Sequence, residues 1–185
     1  MAVDLLDYLM GGDDTPRLWV NFNRYAKKLL LGSDANPWST PASYLSFYTQ
    51  AHALVKAEVV VVDTWDLFHH WMKDDENAIK SMSEKSRATF ASKVLLEAYA
   101  PRELLAEILV AMNDNYGNSV PIVLVIPSPR SLLARSHQTA TKNDLEPSEM
   151  SVDTVSMYMA DFLRYYSETN ISGILLVEDE KLLPS

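Results

Sequence analysis

Three short apolar runs divide the chain, and the segments between them carry apolar residues at helical spacing. The runs cover residues 59–62, 120–126 and 171–177. Continuous runs of β-branched and aliphatic residues are typical of strands that are buried on both faces, as in a parallel sheet covered by helices. The pattern therefore predicts an α/β fold made of parallel βαβ units with right-handed connections.

The segments between these runs predict the helices. Thr40 is a candidate N-cap with Pro41 at the first helical position, and a helix follows to Val55. Further helices are predicted at residues 19–31, at 90–98, from 101 to a turn at 115–118, and from Ser151 or Asp153 to about residue 170. Residues 73–86 are charged and predicted to be exposed, and the polar, weakly patterned residues 135–151 predict a loop.

Composition narrows the class of protein. The 185 residues are 48% apolar, which is enough for a buried core. The formal net charge of −9 and the pI near 4.8 argue against nucleic acid or an anionic membrane as a partner, because no basic run can neutralise phosphates. No apolar run reaches ~18 residues, and the acidic N-terminus lacks the features of a signal peptide, so a cytoplasmic protein without membrane contact is expected.

The sequence lacks cysteine and glycine-rich nucleotide-binding motifs, and this excludes several kinds of site. The sequence contains no cysteine, which excludes disulfides, a thiolate nucleophile and any zinc site built on cysteine. With only five glycines it has neither a GxGxxG dinucleotide motif nor a Walker phosphate loop. No cofactor is therefore predicted.

Polar and aromatic side chains follow the three predicted strands. The carboxyl ends of parallel strands meet at one edge of a sheet, where α/β proteins bind their ligands. We therefore predict a site at this edge with Asp63 as its catalytic residue. The substrate-binding candidates are Trp65, Ser128, Arg130 and Asp179. Arg130 suits an anionic small-molecule substrate through its planar guanidinium, although a surface salt bridge is an equal alternative.

Other interpretations of these acids and imidazoles stay open. An aspartate at position 63 that merely caps the following helix would give the same pattern. His69 and His70 could supply a metal ligand or a general base, but adjacent residues on a helix point in different directions and are not expected to bind one ion. Glu178 could offer a carboxylate to a divalent cation. His69 and Glu178 are thus weak metal candidates, and no metal site is predicted.

Several segments, in the same order, resemble the N-terminal half of uroporphyrinogen decarboxylase and its relatives in the superfamily that includes cobalamin-independent methionine synthase. Within residues 36–68, a helix leading into AEVVVVDTWDLF is similar to the helix and strand that end in that family's functional aspartate. VPIVLVIPSPRSLLA, residues 120–134, resembles the second signature, a strand followed by a turn of small residues and proline. Residues 158–185 resemble the helix and strand whose carboxyl end lines the active site.

The resemblance implies a (β/α)8 (TIM) barrel of which this chain supplies roughly the first half. Residues 1–35 would form an N-terminal helical segment, and residues 36–185 would form the βα units. Asp63 matches the aspartate that is implied to stabilise the positive charge of a pyrrole intermediate. The stretch TPRLWVNFNRY echoes an arginine-containing motif that holds substrate carboxylates, which makes Arg24 a candidate. The methionine synthase branch is disfavoured, because its zinc ligands include cysteines.

Half a barrel leaves strand edges and faces uncovered. We therefore expect self-association, as in a homodimer, or a second chain that completes the fold. A small three-layer α/β sandwich in a single domain is the alternative fold. One functional hypothesis is a decarboxylase-like enzyme, a lyase, that acts on a carboxylated small molecule. The other is a non-catalytic relative that serves as a ligand- or protein-binding module.

Overall fold

A computed structural model describes residues 2–11, 17–32, 35–116 and 119–182. Within these ranges the strands are β1 (Val60–Asp63), β2 (Ile122–Pro127) and β3 (Gly173–Val177). The helices there are α1 (Leu5–Met10), α2 (Asn23–Leu30), α3 (Pro41–Val55), α4 (Thr64–Asp74), α5 (Ala78–Met82), α6 (Phe90–Glu97), α7 (Tyr99–Tyr116), α8 (Pro129–Thr141) and α9 (Glu149–Arg164), with 3₁₀ turns at Pro37–Ser39 and Glu180–Leu182. No helix of the described ranges has the length and apolar character needed to cross a bilayer.

The strands form one parallel sheet in the order β1-β2-β3. Strand β1 pairs with β2 in a register that sets Val60 opposite Ile122 and Asp63 opposite Val125. The α/β class and the parallel strands predicted from the apolar runs are confirmed. Each strand begins one or two residues later than its apolar run. Before β2 the reason is Pro121, which has no N–H to donate to a neighbouring strand.

The chain divides into two compact units. Unit 1 comprises residues 1–64, 103–125 and 168–175, and unit 2 comprises residues 65–102, 126–167 and 176–185. Strands β2 and β3 each begin in unit 1 and end in unit 2. Ser128 and Asp179, which follow those strands, therefore belong to unit 2, whereas Asp63 belongs to unit 1.

In unit 1, helix α1 covers one face of the sheet. Four buried valines form the cluster beneath it: Val59, Val61, Val123 and Val125. Leu5 and Leu9 pack against this cluster, and their i, i+4 spacing puts both on the same side of the helix. Gly173 accommodates the close approach of α1, because a Cβ atom there would lie 2.9 Å from Cδ2 of Leu5.

Helices α2 and α3 of unit 1 differ in how well their starts were predicted. The predicted start of α3 is confirmed, since Thr40 accepts a hydrogen bond from the N–H of Ser43 at 3.1 Å and proline stands in the first turn. The predicted helix at residues 19–31 begins only at Asn23. The residues before it run beside β1 instead, where the carbonyl of Leu18 accepts a hydrogen bond from the N–H of Glu58 at 2.9 Å.

Side chains close the outer edge of β1. The N–H of Val61 donates to the hydroxyl of Tyr48 at 2.9 Å, and the carbonyl of Val61 accepts from Nδ2 of Asn23 at 3.2 Å. All three residues are buried, and burial raises the pKa of the Tyr48 hydroxyl. The peptide groups that β1 turns away from β2 at this point are thus satisfied by neutral side chains.

In unit 2, the prediction of a loop at residues 135–151 is confirmed only for residues 142–148 and is wrong at both ends. Helix α8 continues to Thr141, and α9 begins at Glu149 with Ser148 as its N-cap. The polar composition of α8 hides its buried face, on which Leu132 and Ser136 are fully buried. Ser136 is stable there because its hydroxyl lies 2.7 Å from that of Ser92 on α6.

The charged segment at residues 73–86 contains more structure than predicted. It holds the end of α4 and the short helix α5. Helix α5 buries Ala78 and Met82. These two apolar residues are four positions apart and so lie on one side of the helix, which packs that side against the core of unit 2.

Candidate functional site

Two adjoining cavities lie in unit 2, among residues of α8, the α8–α9 connection and the segment after β3. Their volumes are about 410 Å³ and 540 Å³. Both are lined by Asp144, Leu145, Lys181 and Leu182. Arg135 and Asp179 line the smaller cavity, and Arg130 and Glu146 line the larger one. We refer to them as the paired cavities.

Arg135 brings two of the predicted site residues together. Its guanidinium forms a salt bridge with the carboxylate of Asp179 at 3.5 Å. It also lies over the ring of Trp65, 5.6 Å from the ring centroid, which is within range of a cation–π contact. The aromatic ring and the carboxylate therefore hold the guanidinium at the wall of the smaller cavity.

Ser128 and Ser131 bind a carboxylate of the chain itself. Ser128 is the N-cap of α8, and its hydroxyl accepts a hydrogen bond from the N–H of Ser131 at 3.1 Å. Both hydroxyls donate to Glu178, that of Ser128 at 2.7 Å and that of Ser131 at 2.6 Å. The Ser131 hydroxyl in turn accepts from the N–H of Asp179 at 2.7 Å. The hydroxyl proton of Ser128, a predicted ligand group, is thus already shared with Glu178.

The surroundings of Glu178 favour its ionised form. Partial burial raises the pKa of this carboxyl, but hydrogen bonds from Ser131, Ser128 and the N–H of Asp179, together with the charge of Arg130, lower it further than burial raises it. The net pKa lies below the ordinary value of 4.5. Glu178 is therefore a carboxylate near neutral pH, fixed at the N-terminus of α8, where the helix dipole also favours negative charge.

Arg130 and Lys181 supply the positive charge of the larger cavity. Arg130 is half-buried, and its charge acts on Glu178. Within the part of the chain that the structure describes, neither side chain forms a hydrogen bond or a salt bridge. As far as the described residues show, their donors are open to a ligand that enters this cavity.

Asp63, the predicted catalytic residue, lies in unit 1 as the last residue of β1. It is half-buried, and its carboxylate accepts a hydrogen bond from Nδ2 of Asn21 at 3.1 Å. Thr64 follows it as the first residue of α4, with its hydroxyl donating to the carbonyl of Val125 at 3.0 Å. This position at the junction of strand and helix suits both a functional carboxylate and a helix cap.

The remaining predicted residues are not among those that line the paired cavities. Arg24 is exposed on α2 in unit 1. His69 is exposed and lines a different cavity of unit 2, of about 570 Å³, together with Lys73 and Lys142. His70 is buried, with Nε2 4.0 Å from the carboxylate of Asp66. Among the described residues, no group of three or more histidine, aspartate or glutamate side chains is placed to hold a metal ion.

Comparison with known proteins gives no family for the chain. No family model, curated protein or solved structure matches it. The resemblance to uroporphyrinogen decarboxylase stays a prediction from the sequence, and the chemistry of the paired cavities is the observation that bears on function.

Sequence reasoning missed Arg135 and Lys181 as site residues. A signal for Arg135 was present, because residues 128, 131 and 135 recur at the spacing of one helix face. The signal was hidden by the polar composition of residues 135–151, which favoured a loop. Lys181 carries no such pattern, since it lies in a 3₁₀ turn after β3.

Proposed function

We propose that unit 2 binds a carboxylated small molecule in the paired cavities. The observation that carries the proposal is the position of Arg130 and Lys181, two cations that line one cavity and that have no salt bridge among the described residues. In a chain with a net charge of −9, such cations are suited to an anionic ligand. The planar guanidinium of Arg130 can hold a carboxylate through two parallel hydrogen bonds.

The acids of the cavities restrict the ligand further. Asp179 is paired with Arg135, and Asp144 accepts a hydrogen bond from Gln138 at 2.9 Å. Glu146 also lines the larger cavity. A ligand with carboxylates alone would be repelled by these acids, whereas one that also carries an amino or hydroxyl group can donate hydrogen bonds to them. We therefore expect the ligand to combine a carboxylate with at least one such donor.

Isothermal titration calorimetry with aspartate and succinate tests this proposal, because the two four-carbon dicarboxylates differ in one amino group. Aspartate is expected to bind more tightly than succinate. Arg130→Gln should weaken aspartate binding about tenfold to a hundredfold, since a hydrogen bond to a charged group contributes about 1.5–3 kcal/mol.

Arg164→Gln is the matched control, because Arg164 is 76% exposed on α9 and pairs with Asp161 at 3.0 Å. It should leave binding unchanged. Arg24→Gln tests the sequence-based prediction that this arginine holds the substrate. Failure of both dicarboxylates to bind, or an equal loss in Arg164→Gln, would contradict the proposal.

Decarboxylation with Asp63 is the second function that we propose. It is supported by the position of Asp63 at the end of β1 and by the hydrogen bond from Asn21, which restrains the carboxylate. Asp63→Asn removes the charge and keeps the shape, so it should lower carbon dioxide release from uroporphyrinogen at least about a hundredfold. Asp153→Asn, on the exposed side of α9, is the control. An inactive wild-type chain would reject this second function and leave the binding function intact.

We also propose that the sheet corresponds to the first strands of a (β/α)8 barrel. The support is the strand order β1-β2-β3, in which each strand lies beside its neighbour in sequence, as strands do in such barrels. The same order also suits the small three-layer α/β sandwich, the alternative fold.

A further inference from the structure

Strand β3 is much less covered than its neighbour β2. Its four apolar side chains at residues 174–177 are between 39% and 50% exposed, whereas every residue of β2 is buried. Successive side chains of a strand point to opposite faces, so exposed apolar side chains lie on both faces of β3, although α1 approaches its first residue, Gly173. Single exposed apolar residues are ordinary, but a consecutive run on an edge strand marks an interaction surface.

Helix α1 extends this apolar surface. Leu6 lines a cavity with Ile171 and Ser172, immediately before β3. Leu6 is 70% exposed and Met10 is 79% exposed. A stable interface buries roughly 800 Å² on each partner, which one short strand does not supply by itself. The exposed side chains of α1 add to the area that β3 offers.

The closed edge of β1 determines what can pair with β3. A strand edge recruits another strand through unpaired N–H and C=O groups. At Val61, β1 has none to offer, because Tyr48 and Asn23 already bond that peptide group. Head-to-tail pairing of β3 with β1 of another copy would have to break both of these hydrogen bonds, so the edge of another β3 is the better partner. Such an interface is self-complementary and closes after two copies.

Charge selects the direction of this pairing. Residues 170–177 carry no charge, and three acids follow them: Glu178, Asp179 and Glu180. In a parallel pair the two acidic segments would lie side by side. Arg130 and Arg135 offset part of the charge of Glu178 and Asp179, so the repulsion comes mainly from Glu180 and from the net charge of −9 on each chain. In an antiparallel pair each acidic segment lies beside the uncharged start of the partner strand.

We propose that β3 pairs in antiparallel fashion with β3 of a second copy of this chain, about a two-fold axis near Leu175. The product is a homodimer with an open six-stranded sheet, in which the exposed side chains of β3 and α1 are covered by their counterparts. A (β/α)8 barrel contains parallel strands only, so this dimer favours the small α/β sandwich over the barrel. The proposal does not depend on the ligand of the paired cavities.

Native mass tests the dimer. Light scattering over a range of concentrations should give twice the chain mass of 20.9 kDa. Leu176→Lys places a charge on β3 opposite the apolar partner strand and should raise the dimer dissociation constant at least about tenfold. Leu54→Lys is the matched control, because Leu54 is a 58% exposed leucine of α3; its mass should equal that of the wild type. A monomeric wild type, or oligomers that grow beyond two copies, would overturn the proposal.

A cysteine variant tests the direction of pairing. This test remains valid even if the Leu176→Lys variant does not fold. The natural chain has no cysteine, so Leu175→Cys introduces the only thiol. Residues directly opposite in an antiparallel pair have Cβ atoms about 4.5–5.5 Å apart, so mild oxidation should link two copies of this variant in high yield. Leu54→Cys should stay unlinked. Equal linking of both variants, or none in Leu175→Cys, contradicts antiparallel pairing at this residue.

Discussion

Glu178 takes the place at the start of α8 where many proteins bind an anion. Helix N-termini attract anions because their free N–H groups and the helix dipole favour negative charge. Here the hydroxyls of Ser128 and Ser131 hold a carboxylate of the chain instead. We therefore expect a ligand carboxylate to be bound by Arg130 and Lys181 and not by Ser128.

Glu178→Gln should remove a pH-dependent part of the stability. Burial opposes ionisation and is the largest single influence, but the hydrogen bonds from Ser131, Ser128 and the N–H of Asp179, together with the charge of Arg130, lower the pKa below 4.5 on folding. The ionised group thus stabilises the fold above pH 4.5, and this contribution is lost as the pH falls through the lower pKa of the folded state. Solvent screens the group, so the variant should lose no more than about 1 kcal/mol at neutral pH.

Urea unfolding of the wild type and the variant, from neutral pH down to about pH 3, measures this difference. The two free energies of unfolding should converge in acid. Glu107→Gln, which removes an exposed carboxylate of α7, is the control for the change in net charge. A constant difference at all pH values would show that Glu178 acts by shape and not by charge.

For the residues at the strand ends, the sequence predicted only the part of their position that follows from the direction of the strands. Trp65 and Asp179 were expected in the site, and Arg135 does bring them together. The bond between Ser131 and Glu178 joins residues 47 apart in sequence. Periodicity reports which residues share a face of one element, so it carries no information on such a pairing.

Among the elements, the two edges of the sheet differ in how they are protected. The apolar runs predicted where the strands lie, because burial on both faces demands aliphatic residues throughout. They did not predict that Tyr48 of α3 closes β1, since that contact depends on how the helix docks. They also hid the difference between β2 and β3, whose sequences are equally apolar although only β2 is buried.

Tyr48→Phe should destabilise the protein by about 1–3 kcal/mol, because it leaves the N–H of Val61 buried without a partner. Tyr48 is fully buried, so water cannot replace the hydroxyl in the unchanged fold. The measurement is the midpoint and slope of urea unfolding. Tyr25→Phe is the control, because it removes a tyrosine hydroxyl at a residue of α2 that is 68% exposed. Equal stability of the two variants would rule out a structural role for the Tyr48 hydroxyl.

At the scale of the whole molecule, the sequence predicted the class of fold, but it did not predict what lies beside the last strand of the sheet. Alternation of apolar runs and helical spacing is a local signal, and the parallel sheet confirms it. What covers β3 is not a local property, because a neighbouring strand can come from the same chain or from another. Residues 174–177 of β3 are between 39% and 50% exposed, and the mass measurement tests whether a second copy covers them.

The exposed β3 also has a consequence for how the protein behaves in a crowded cell. An apolar, uncharged strand with an open edge can template aggregation. In a monomer–dimer equilibrium, once most of the protein is paired, the amount of free monomer rises only as the square root of the total. Doubling the total amount of protein would then raise the concentration of free monomer, the form that can aggregate, by much less than twofold. Self-pairing of β3 would therefore limit the concentration of the free monomer, whose exposed strand edge can start aggregation.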